Sequence, residues 1–390
     1  MIPQAEILAL RGEWGLRDDV IEKDYVLGWL LAAIAHDPEL RDHWVFKGGT
    51  CLRKCYYETY RFSEDLDFTV VQGGPEEPEI LLPILERLGV WIRERSGIEI
   101  TVDLRSIRRG RNRRGNPTTS LRIAYRGPSD PPNLPKVKVD LTSDELVVTP
   151  VESRPILHPY SDASLMGGEI VAYSLDELLA EKLRALAERC RPRDLYDVIS
   201  IHRHHDLIRD PAAVWDALAR KSEFVGIELP SATSVLASPF RGELEQEWAN
   251  MLAHQLPHLP TVTEYWAALD DVFGWVGGTP VVALPRAEFG QRLDRQWTPP
   301  RSMVSWSGRP LDLIRYAGAN RLRVEIDYRA EEGRLGWRRV EPYALRRTLE
   351  GKVVLFVVND RGQLRSYRTD RITAAKVTNE PFVPRYLVEF

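Results

Sequence analysis

Two aspartates separated by one residue, Asp65 and Asp67, lie in the segment FSEDLDFTVV and could bind a divalent cation. The β-branched and aromatic residues around them predict a strand. Because side chains alternate along a strand, both carboxylates are expected on the same face. Two neighbouring carboxylates repel each other unless a cation lies between them, and Mg2+ or Mn2+ prefers such oxygen ligands. The pair therefore predicts metal-dependent chemistry.

A glycine pair precedes these acids in the segment FKGGTCLRKCYYETY. Gly48 and Gly49 allow a sharp turn and a close approach of backbone N–H groups to a ligand. The residues that follow predict a helix with Thr50 as its N-cap, so that its positive end faces that ligand. Lys54 adds a cation. The segment predicts a phosphate-binding turn beside the metal pair.

A third acid, Asp140, interrupts the apolar alternation of KVKVDL, which should be a central strand. A buried carboxylate needs a partner. Placed beside Asp65 and Asp67, it would complete a divalent-metal site for phosphoryl or nucleotidyl transfer. The alternative is that Asp140 ends the strand and caps a turn with Thr142.

The elements that must position these residues form an α/β (α+β) core, expected over residues 1–160. Helices are predicted at 17–36 and 77–96 from apolar spacing near 3.6, and strands at IEITVDLRSI, TSLRIAYRG and LPKVKVDLT. A helical domain with a linker, 161–300, should complete the site. It begins with a capping box of Ser174 and Glu177, and further helices start at Arg193 and Pro211.

Composition limits the class of protein. The 390 residues predict two or three domains, and the net charge of −4 does not require a nucleic-acid partner. Three cysteines form no disulfide framework and fit a reducing compartment. Because no signal peptide or long apolar stretch occurs, a cytoplasmic protein is expected.

Basic residues are concentrated in two places. Residues 301–390 hold 18 Lys and Arg against 11 Asp and Glu, so this part is basic in an acidic chain. The segment from Arg105 to Asn116 contains six arginines and no acid, and it predicts an exposed loop. Such a loop is either a solvated hairpin tip or a contact to a phosphate backbone.

Several of these motifs occur together in a known family. The shared motifs are the Gly-Gly-Thr turn, the lysine after it, SEDLD, IEKDYVL and EKLRALAERCRPRDLYDV. Together they resemble the AbiEii/AbiGii group of nucleotidyltransferase toxins over roughly residues 15–205. The group is related to polymerase β-type nucleotidyltransferases. The resemblance implies an NTP donor, Mg2+, an RNA acceptor such as tRNA, and a toxin role in a type IV toxin–antitoxin or abortive-infection system for phage defence. A cognate antitoxin encoded nearby is then expected.

The resemblance also implies roles for particular residues. Gly48, Gly49 and Thr50 would hold the triphosphate, with Lys54 and Ser63 nearby; Asp65, Asp67 and Asp140 would bind metal; Lys182 would contact the nucleotide and Asp194 would serve catalysis. Arg193 and Asp197 are weaker candidates, because RDLYDV is also an ordinary amphipathic helix start. Lys182 could instead be a surface i,i+4 partner. The spacing between Gly49 and Asp65 is longer than in the general superfamily pattern.

The C-terminal segment predicts a small all-β domain, 301–390. The segment resembles a WYL domain in three motifs, IDYR, RRVEPYAL and LRSYRTDRI. The sequence VVLFVV stands where the residues that give the domain its name are expected. The resemblance implies an Sm/SH3-like barrel that binds nucleic acid or a nucleotide ligand. A basic surface suited to base stacking is expected from Arg338, Arg339, Tyr343, Arg365, Tyr367, Arg368 and Arg371. Alternatively, these arginines pair with Glu341 and Asp370.

Two classes of function are open at this stage. In the first, the chain is a metal-dependent nucleotidyltransferase. In the second, it is a non-catalytic ligand- or nucleic-acid-binding regulator of a defence system. The Gly-Gly-Thr turn, Lys54, both Asp residues and Lys182 are all present, which favours the enzyme.

Overall fold

A computed structural model describes residues 1–57, 61–112, 115–208, 210–280, 284–288, 292–299, 310–330, 333 and 335–390. In these ranges the chain forms two sheets with helices before, between and after their strands. None of the helices in these parts of the chain combines the length and the hydropathy needed to cross a membrane.

The first sheet contains the strands of the predicted core. Its strands are β1 (Trp44–Lys47), β2 (Asp65–Val70), β3 (Glu99–Thr101), β4 (Ile107–Arg111), β5 (Pro117–Arg126), β6 (Lys136–Thr142), β7 (Glu152–Pro155) and β8 (Glu169–Ala172). The order is β3-β5-β6-β2-β1-β8-β7, and β4 also pairs with β5. Since β8 belongs to this sheet, the sheet extends beyond residue 160.

The strand β2 has neighbours on both sides. It runs antiparallel to β1 and parallel to β6, in a register that sets Asp67 opposite both Lys47 and Asp140. Leu66 is buried on one face of β2, while Asp65 and Asp67 are half-buried on the other. The predicted strand and the shared face of its two acids are therefore confirmed.

Helices cover this sheet and continue into the second region. They are α1 (Gln4–Trp14), α2 (Asp18–His36), α3 (Gly48–Cys51), α4 (Pro78–Ser96), α5 (Leu175–Arg189), α6 (Pro192–Arg203), α7 (Pro211–Val225), α8 (Ala232–Leu236), α9 (Arg241–Leu252), α10 (Val262–Ala267) and α11 (Leu269–Val276). The helices predicted at 17–36, 77–96 and from Ser174, Arg193 and Pro211 all occur, within one residue or two of their expected starts. The side chain of Ser174 caps α5 by accepting from Glu177 N at 3.1 Å.

Two local predictions are wrong. Thr50 is not an N-cap, because α3 already begins at Gly48, after Lys47. The hydroxyl of Thr50 donates instead to the backbone carbonyl of Asp65. The basic segment from Arg105 is not simply a loop, since Ile107–Arg111 is the strand β4. It can carry so many arginines because only Ile107 of this strand is buried and the others face solvent. Arg113 and Arg114 lie outside the described residues.

The C-terminal part contains α12 (Leu311–Ala319) and a second, antiparallel sheet. Its strands are β9 (Leu322–Arg329), β10 (Leu335–Arg347), β11 (Val353–Asn359), β12 (Leu364–Arg368) and β13 (Ile372–Pro381), in the order β12-β11-β10-β9-β13. The two outer strands do not pair with each other in the part of the chain that is described. The all-β prediction is confirmed, but the predicted closed barrel is not.

The C-terminal part is joined to the helices by a buried polar contact. Asn320, at the end of α12, is 4% exposed. Its side-chain oxygen accepts hydrogen bonds from the hydroxyls of Tyr196 on α6 and Tyr265 on α10, both at 3.1 Å. Apolar residues of α12 also belong to the same hydrophobic core as the first sheet. The two regions therefore pack as one continuous interior.

Candidate active site

Three carboxylates lie in adjacent positions on one face of the first sheet. Asp65 and Asp67 come from β2, and the parallel register sets Asp140 of β6 directly beside Asp67. Residues directly opposite in neighbouring strands point to the same side of the sheet. The structure thus brings together the three acids that the sequence predicts as metal ligands.

Gly48 allows the turn from β1 into α3 to pass close to this face. Its φ of +81° lies in the left-handed region, where a side chain is unfavourable. A Cβ atom at this position would lie 2.4 Å from Oδ2 of Asp67. The Asp67 carboxylate therefore packs directly on the glycine backbone, so no other residue type fits without displacing it.

The carboxylates carry charge that the protein does not fully compensate. Burial raises the pKa of Asp67 above its usual value, and Asp140 and Asp65 raise it further. Lys47 and Lys182 act in the opposite direction but do not reverse the shift. Burial likewise raises the pKa of Asp65. Such a site favours binding of a cation, which would stabilise the ionised carboxylates.

The residues present suit a metal that takes part of its coordination from the substrate. No group of three or more His, Cys, Asp and Glu side chains in the described residues is arranged to hold an ion alone. The Asp140 carboxylate is ion-paired with Lys138. Mg2+ commonly uses one or two carboxylates together with water and substrate phosphates, and Asp65 with Asp67 provides such a pair.

Lys182 of α5 is the cation that the sequence predicts near the nucleotide, and it is not a surface residue. Its side chain is only 10% exposed, and its Nζ lies 2.7 Å from Asp197 and 3.5 Å from Asp194. It also lies close enough to Asp67 to lower that carboxylate's pKa. The alternative of an ordinary surface pair is therefore excluded.

Asp197 connects Lys182 to the glycine turn. Burial raises the pKa of Asp197, but Arg61 and Lys182 lower it more strongly, so the carboxylate is held ionised. Arg61 donates to both Asp197 oxygens at 2.7 and 2.9 Å. A Cβ on Gly49 would lie 2.4 Å from this guanidinium. The second glycine of the turn is thus needed for packing against Arg61.

Asp194 has a supporting position. It is 1% exposed and accepts two hydrogen bonds from Arg189, at 2.7 and 2.8 Å, in addition to its contact with Lys182. A carboxylate that is buried and paired in this way cannot reach a substrate. The contacts therefore indicate a residue that positions Lys182 and Arg189, in place of the direct catalytic role that the resemblance implies.

Arg193 lies at the start of α6, near Asp65. It lowers the pKa of Asp65 and is partly buried, and its Nε has no hydrogen-bond partner in the described residues. Burial and the nearby Arg61 lower the pKa of Arg193 itself. A partly buried guanidinium with an unused Nε donor near a carboxylate is suited to an anionic group such as phosphate.

A cleft of about 310 Å³ lies between β6 and the helices α5 and α7. Its lining includes Thr142, Glu145, Arg189, Arg191 and Lys221. Thr142 and Glu145 are also the partners of Lys47 Nζ, which stands opposite Asp67 in the β1–β2 register. The cleft therefore lies next to the carboxylates, and its lining holds four cations balanced by four acids.

Three residues predicted at the phosphate site are buried. Lys54 is 1% exposed and its Nζ lies 2.7 Å from Asp24 of α2. Burial lowers the pKa of Lys54 to about 8 despite that partner. Lys54 therefore lies in the core and cannot contact a triphosphate. Thr50 is fully buried and hydrogen-bonded to β2, and Ser63 is buried two residues before Asp65.

The predicted basic surface of the C-terminal domain is only partly present. Tyr343 is fully buried, because β10 turns its second half into the interior. Tyr367 is 8% exposed, and Arg338 stacks on its ring at 5.4 Å. Arg339 pairs with Glu380. Arg368 pairs with Asp370, which agrees with the alternative that these arginines form surface pairs. Arg365 is exposed, and Arg371 is half-buried.

Sequence reasoning missed several residues at the site, namely Lys47, Arg61, Glu145, Arg189 and Arg191. Lys47 could have been found, because it precedes Gly48 and an antiparallel pairing of β1 with β2 sets it opposite Asp67. Arg61 gives no such signal, since its partner Asp197 is 136 residues away.

Comparison with known proteins agrees with this geometry. The profile of the AbiEii nucleotidyl transferase toxin family, of type IV toxin–antitoxin systems, matches residues 29–275, and that of the WYL domain matches residues 310–377. No curated protein matches the sequence significantly.

Solved structures support the fold. MenT4, a nucleotidyltransferase toxin from Mycobacterium tuberculosis H37Rv, aligns with a TM-score of 0.53 and 20% identity, over 71% of this chain and 90% of MenT4. The proteasome accessory factor PafBC of Arthrobacter aurescens aligns at 16% identity over 92% of this chain and 32% of the PafBC chain. Its TM-score of 0.19 is too low to indicate a shared fold. Because the first profile covers more than half of the 390 residues, this chain belongs to the AbiEii family of nucleotidyltransferase toxins, and it carries a C-terminal WYL domain.

Proposed function

We propose that the protein transfers a nucleotide from an NTP to an RNA acceptor, for which tRNA is the first candidate, with Mg2+ or Mn2+ as cofactor. The observation that carries this proposal is the row of carboxylates, Asp65, Asp67 and Asp140, on one sheet face beside the glycine turn. The raised pKa values of Asp65 and Asp67, and the face that these two share with Asp140, suit an added cation.

The acids would have different roles on the sheet face. Asp65 and Asp67 would hold the ion, with Asp140 as a third ligand once it leaves Lys138. A bound divalent ion neutralises phosphate charge and stabilises attacking and leaving oxygens. Gly48 leaves the space that the Asp67 carboxylate occupies, and Gly49 leaves the space that Arg61 occupies, so the turn would act by positioning these side chains.

The cations would orient the nucleotide. Lys182 has three donors and uses two on Asp197 and Asp194, so one remains for a phosphate oxygen. Arg193 offers an unused Nε donor near Asp65. Asp194 and Asp197 hold Lys182 between them, so that its ammonium stays beside Asp67 in the absence of substrate. Such preorganised charge is a large source of rate enhancement in polar sites.

A direct test is transfer of label from each radioactive NTP to total RNA in the presence of Mg2+. Asp67→Asn keeps the side-chain volume and should abolish transfer. Asp130→Asn removes an exposed carboxylate that pairs with Arg126 in the loop after β5, and it should transfer as the wild type does. Wild-type transfer by Asp67→Asn would contradict the assignment.

The toxin role adds a second test. We propose that a cognate antitoxin is encoded beside the gene and that unopposed activity halts growth of the host, as expected in phage defence. Expression of the wild type in bacteria should arrest growth, whereas expression of Asp67→Asn at the same level should not. Equal toxicity of both forms would indicate a non-catalytic mode of action and would favour the regulator alternative.

We also propose that the WYL domain binds a nucleotide or a nucleic acid near Arg338 and Arg365. Arg338 is exposed and rests on the rings of Tyr328 and Tyr367, at 5.3 and 5.4 Å, so its guanidinium is held in place with donors facing solvent. Titration of the full chain with nucleotides and short oligonucleotides should therefore show weaker binding in Arg338→Ala. Unchanged affinity would remove this surface from the proposal.

A further inference from the structure

A second basic feature lies on the first sheet, away from the nucleotide cleft. It is a pocket of about 440 Å³, here called the sheet-face pocket, lined by Asp103, Arg105, Ser106, Arg108, Ser120, Arg122 and Lys136. Four of these seven residues are cations from β4, β5, β6 and the turn before β4. The lining contains no apolar side chain, unlike the centre of a typical protein–protein interface.

The strand register connects this pocket to the carboxylates. Asp67 stands opposite Asp140, Asp140 stands opposite Ser120, and Ser120 stands opposite Arg108. Opposed residues share a face, and adjacent strands are about 4.8 Å apart, so Arg108 lies about 14 Å from Asp67 across one continuous surface.

A second row runs beside the first. It starts at Asp65 and continues through Lys138 to Arg122. The acids are thus at one end of the face and the unpaired cations at the other. A short extended segment of nucleic-acid backbone covers this distance, so a chain end placed at the acids leaves its preceding phosphates over the pocket.

The charges of the pocket are not compensated within the protein. Arg105, Arg108, Arg122 and Lys136 make no ion pair in the described residues. Asp103 also lines the pocket, and its carboxylate accepts from the backbone N–H of Arg105. By contrast, Arg109, the next residue on β4, pairs with Glu77. Cations gathered without partners repel each other, and a polyanion relieves that repulsion.

We propose that the sheet-face pocket binds the phosphodiester backbone of the RNA acceptor and directs its terminal hydroxyl to Asp65 and Asp67. This inference rests on the proposed function and adds to it the path of the acceptor. It places the contact on the sheet face, through Arg108 and Arg122, instead of on the tip of the arginine-rich segment.

The test compares two double variants that remove equal charge. Arg108→Ala/Arg122→Ala removes two cations from the pocket. Arg93→Ala/Arg126→Ala removes two exposed arginines outside it that pair with Glu99. Both are made in full-length protein carrying Asp67→Asn, so that RNA is not turned over, and circular dichroism confirms that each variant is folded.

Binding of labelled total tRNA is measured over a range of salt concentrations. The pocket variant should bind at least tenfold more weakly, and the slope of log affinity against log salt should fall by about 1.4, because two contacts to single-stranded phosphates are lost. The control should keep the slope of the parent. Equal slopes for the two double variants would overturn the proposal. Weaker binding of a purified acidic protein to the pocket variant would not restore it, because the pocket would then bind protein and not RNA.

Kinetics separate this proposal from the proposed function. In the active background, the pocket variant should show a raised KM for RNA with an unchanged KM for NTP. An unchanged KM for RNA in an enzyme that transfers nucleotides would refute the pocket alone. If the wild type transfers no nucleotide to RNA, the proposed function fails, and the salt-dependent binding still decides whether the pocket holds RNA.

Discussion

The contact between Gly48 and Asp67 allows a sharp test of the site by replacement of one hydrogen atom with a methyl group. In Gly48→Ala the new Cβ would lie 2.4 Å from Oδ2 of Asp67, whereas ordinary contact begins near 3.4 Å. The carboxylate must therefore move by about 1 Å, and a misplacement of that size can reduce a rate by about 10²-fold.

The same substitution also lowers stability, and the two contributions can be separated. The left-handed φ of +81° costs an alanine about 1–2 kcal/mol, and overpacking against Asp67 adds about 1–3 kcal/mol. Gly73, in the turn after β2, provides a matched control. Its φ is +71°, and a Cβ there would meet no atom within 4 Å. Gly73→Ala should therefore cost only the about 1–2 kcal/mol of backbone strain.

The assay combines unfolding in urea with nucleotide transfer to RNA and calorimetric titration of Mn2+. Gly48→Ala should lose more stability than Gly73→Ala, bind Mn2+ more weakly and transfer about 100-fold more slowly. Gly73→Ala should bind and transfer as the wild type does. If both variants lose equal activity, backbone strain explains the effect. If Gly48→Ala retains full metal affinity and activity, Asp67 does not hold the metal.

Three further predictions concern contacts that only the folded protein contains. Asp24→Asn leaves Arg53 and Lys54 as buried cations without their carboxylate and should cost about 3–5 kcal/mol in unfolding experiments; a loss within the range of surface substitutions would contradict the burial of this pair. Lys54→Met should lower stability while leaving the KM for NTP unchanged in the folded enzyme, and a higher KM in a fully stable variant would restore its predicted role at the phosphates. Asn320→Ala removes the acceptor that the hydroxyls of Tyr196 and Tyr265 share, and should cost about 1–3 kcal/mol. Faster hydrogen exchange in α6 and α12 would show that these helices are coupled, whereas unchanged exchange would indicate that apolar packing alone joins them.

Much of the site follows from local pattern. The shared face of Asp65 and Asp67 is a consequence of the two-residue period of a strand, so any strand over this segment would produce it. The start of α5 is also local, because Ser174 satisfies the N–H of Glu177 within one turn. Asp140 could be predicted as a partner because an acid inside an apolar strand needs one.

Other features depend on which segments meet in space. Lys54 and Lys182 are both lysines in helical segments, and their residue type does not distinguish them. Asp24 of α2 buries the first in the core, whereas Asp194 and Asp197 hold the second beside Asp67. The partner, and not the residue type, decides which ammonium can meet a phosphate.

The basic segment around β4 shows the same division. Its arginines and their exposure are evident from the sequence alone, since so dense a charge cannot be packed in a core. Only the pairing of β4 with β5, and of β5 with β6, places Arg108 in the same row as Asp140. The neighbouring Arg109 forms an ion pair with Glu77 instead. Strand register is set by hydrophobic contacts along the whole sheet, and a shift of one residue would reverse every side chain. The sequence by itself therefore determines which residues carry the charge, and the tertiary structure determines which of them face the site.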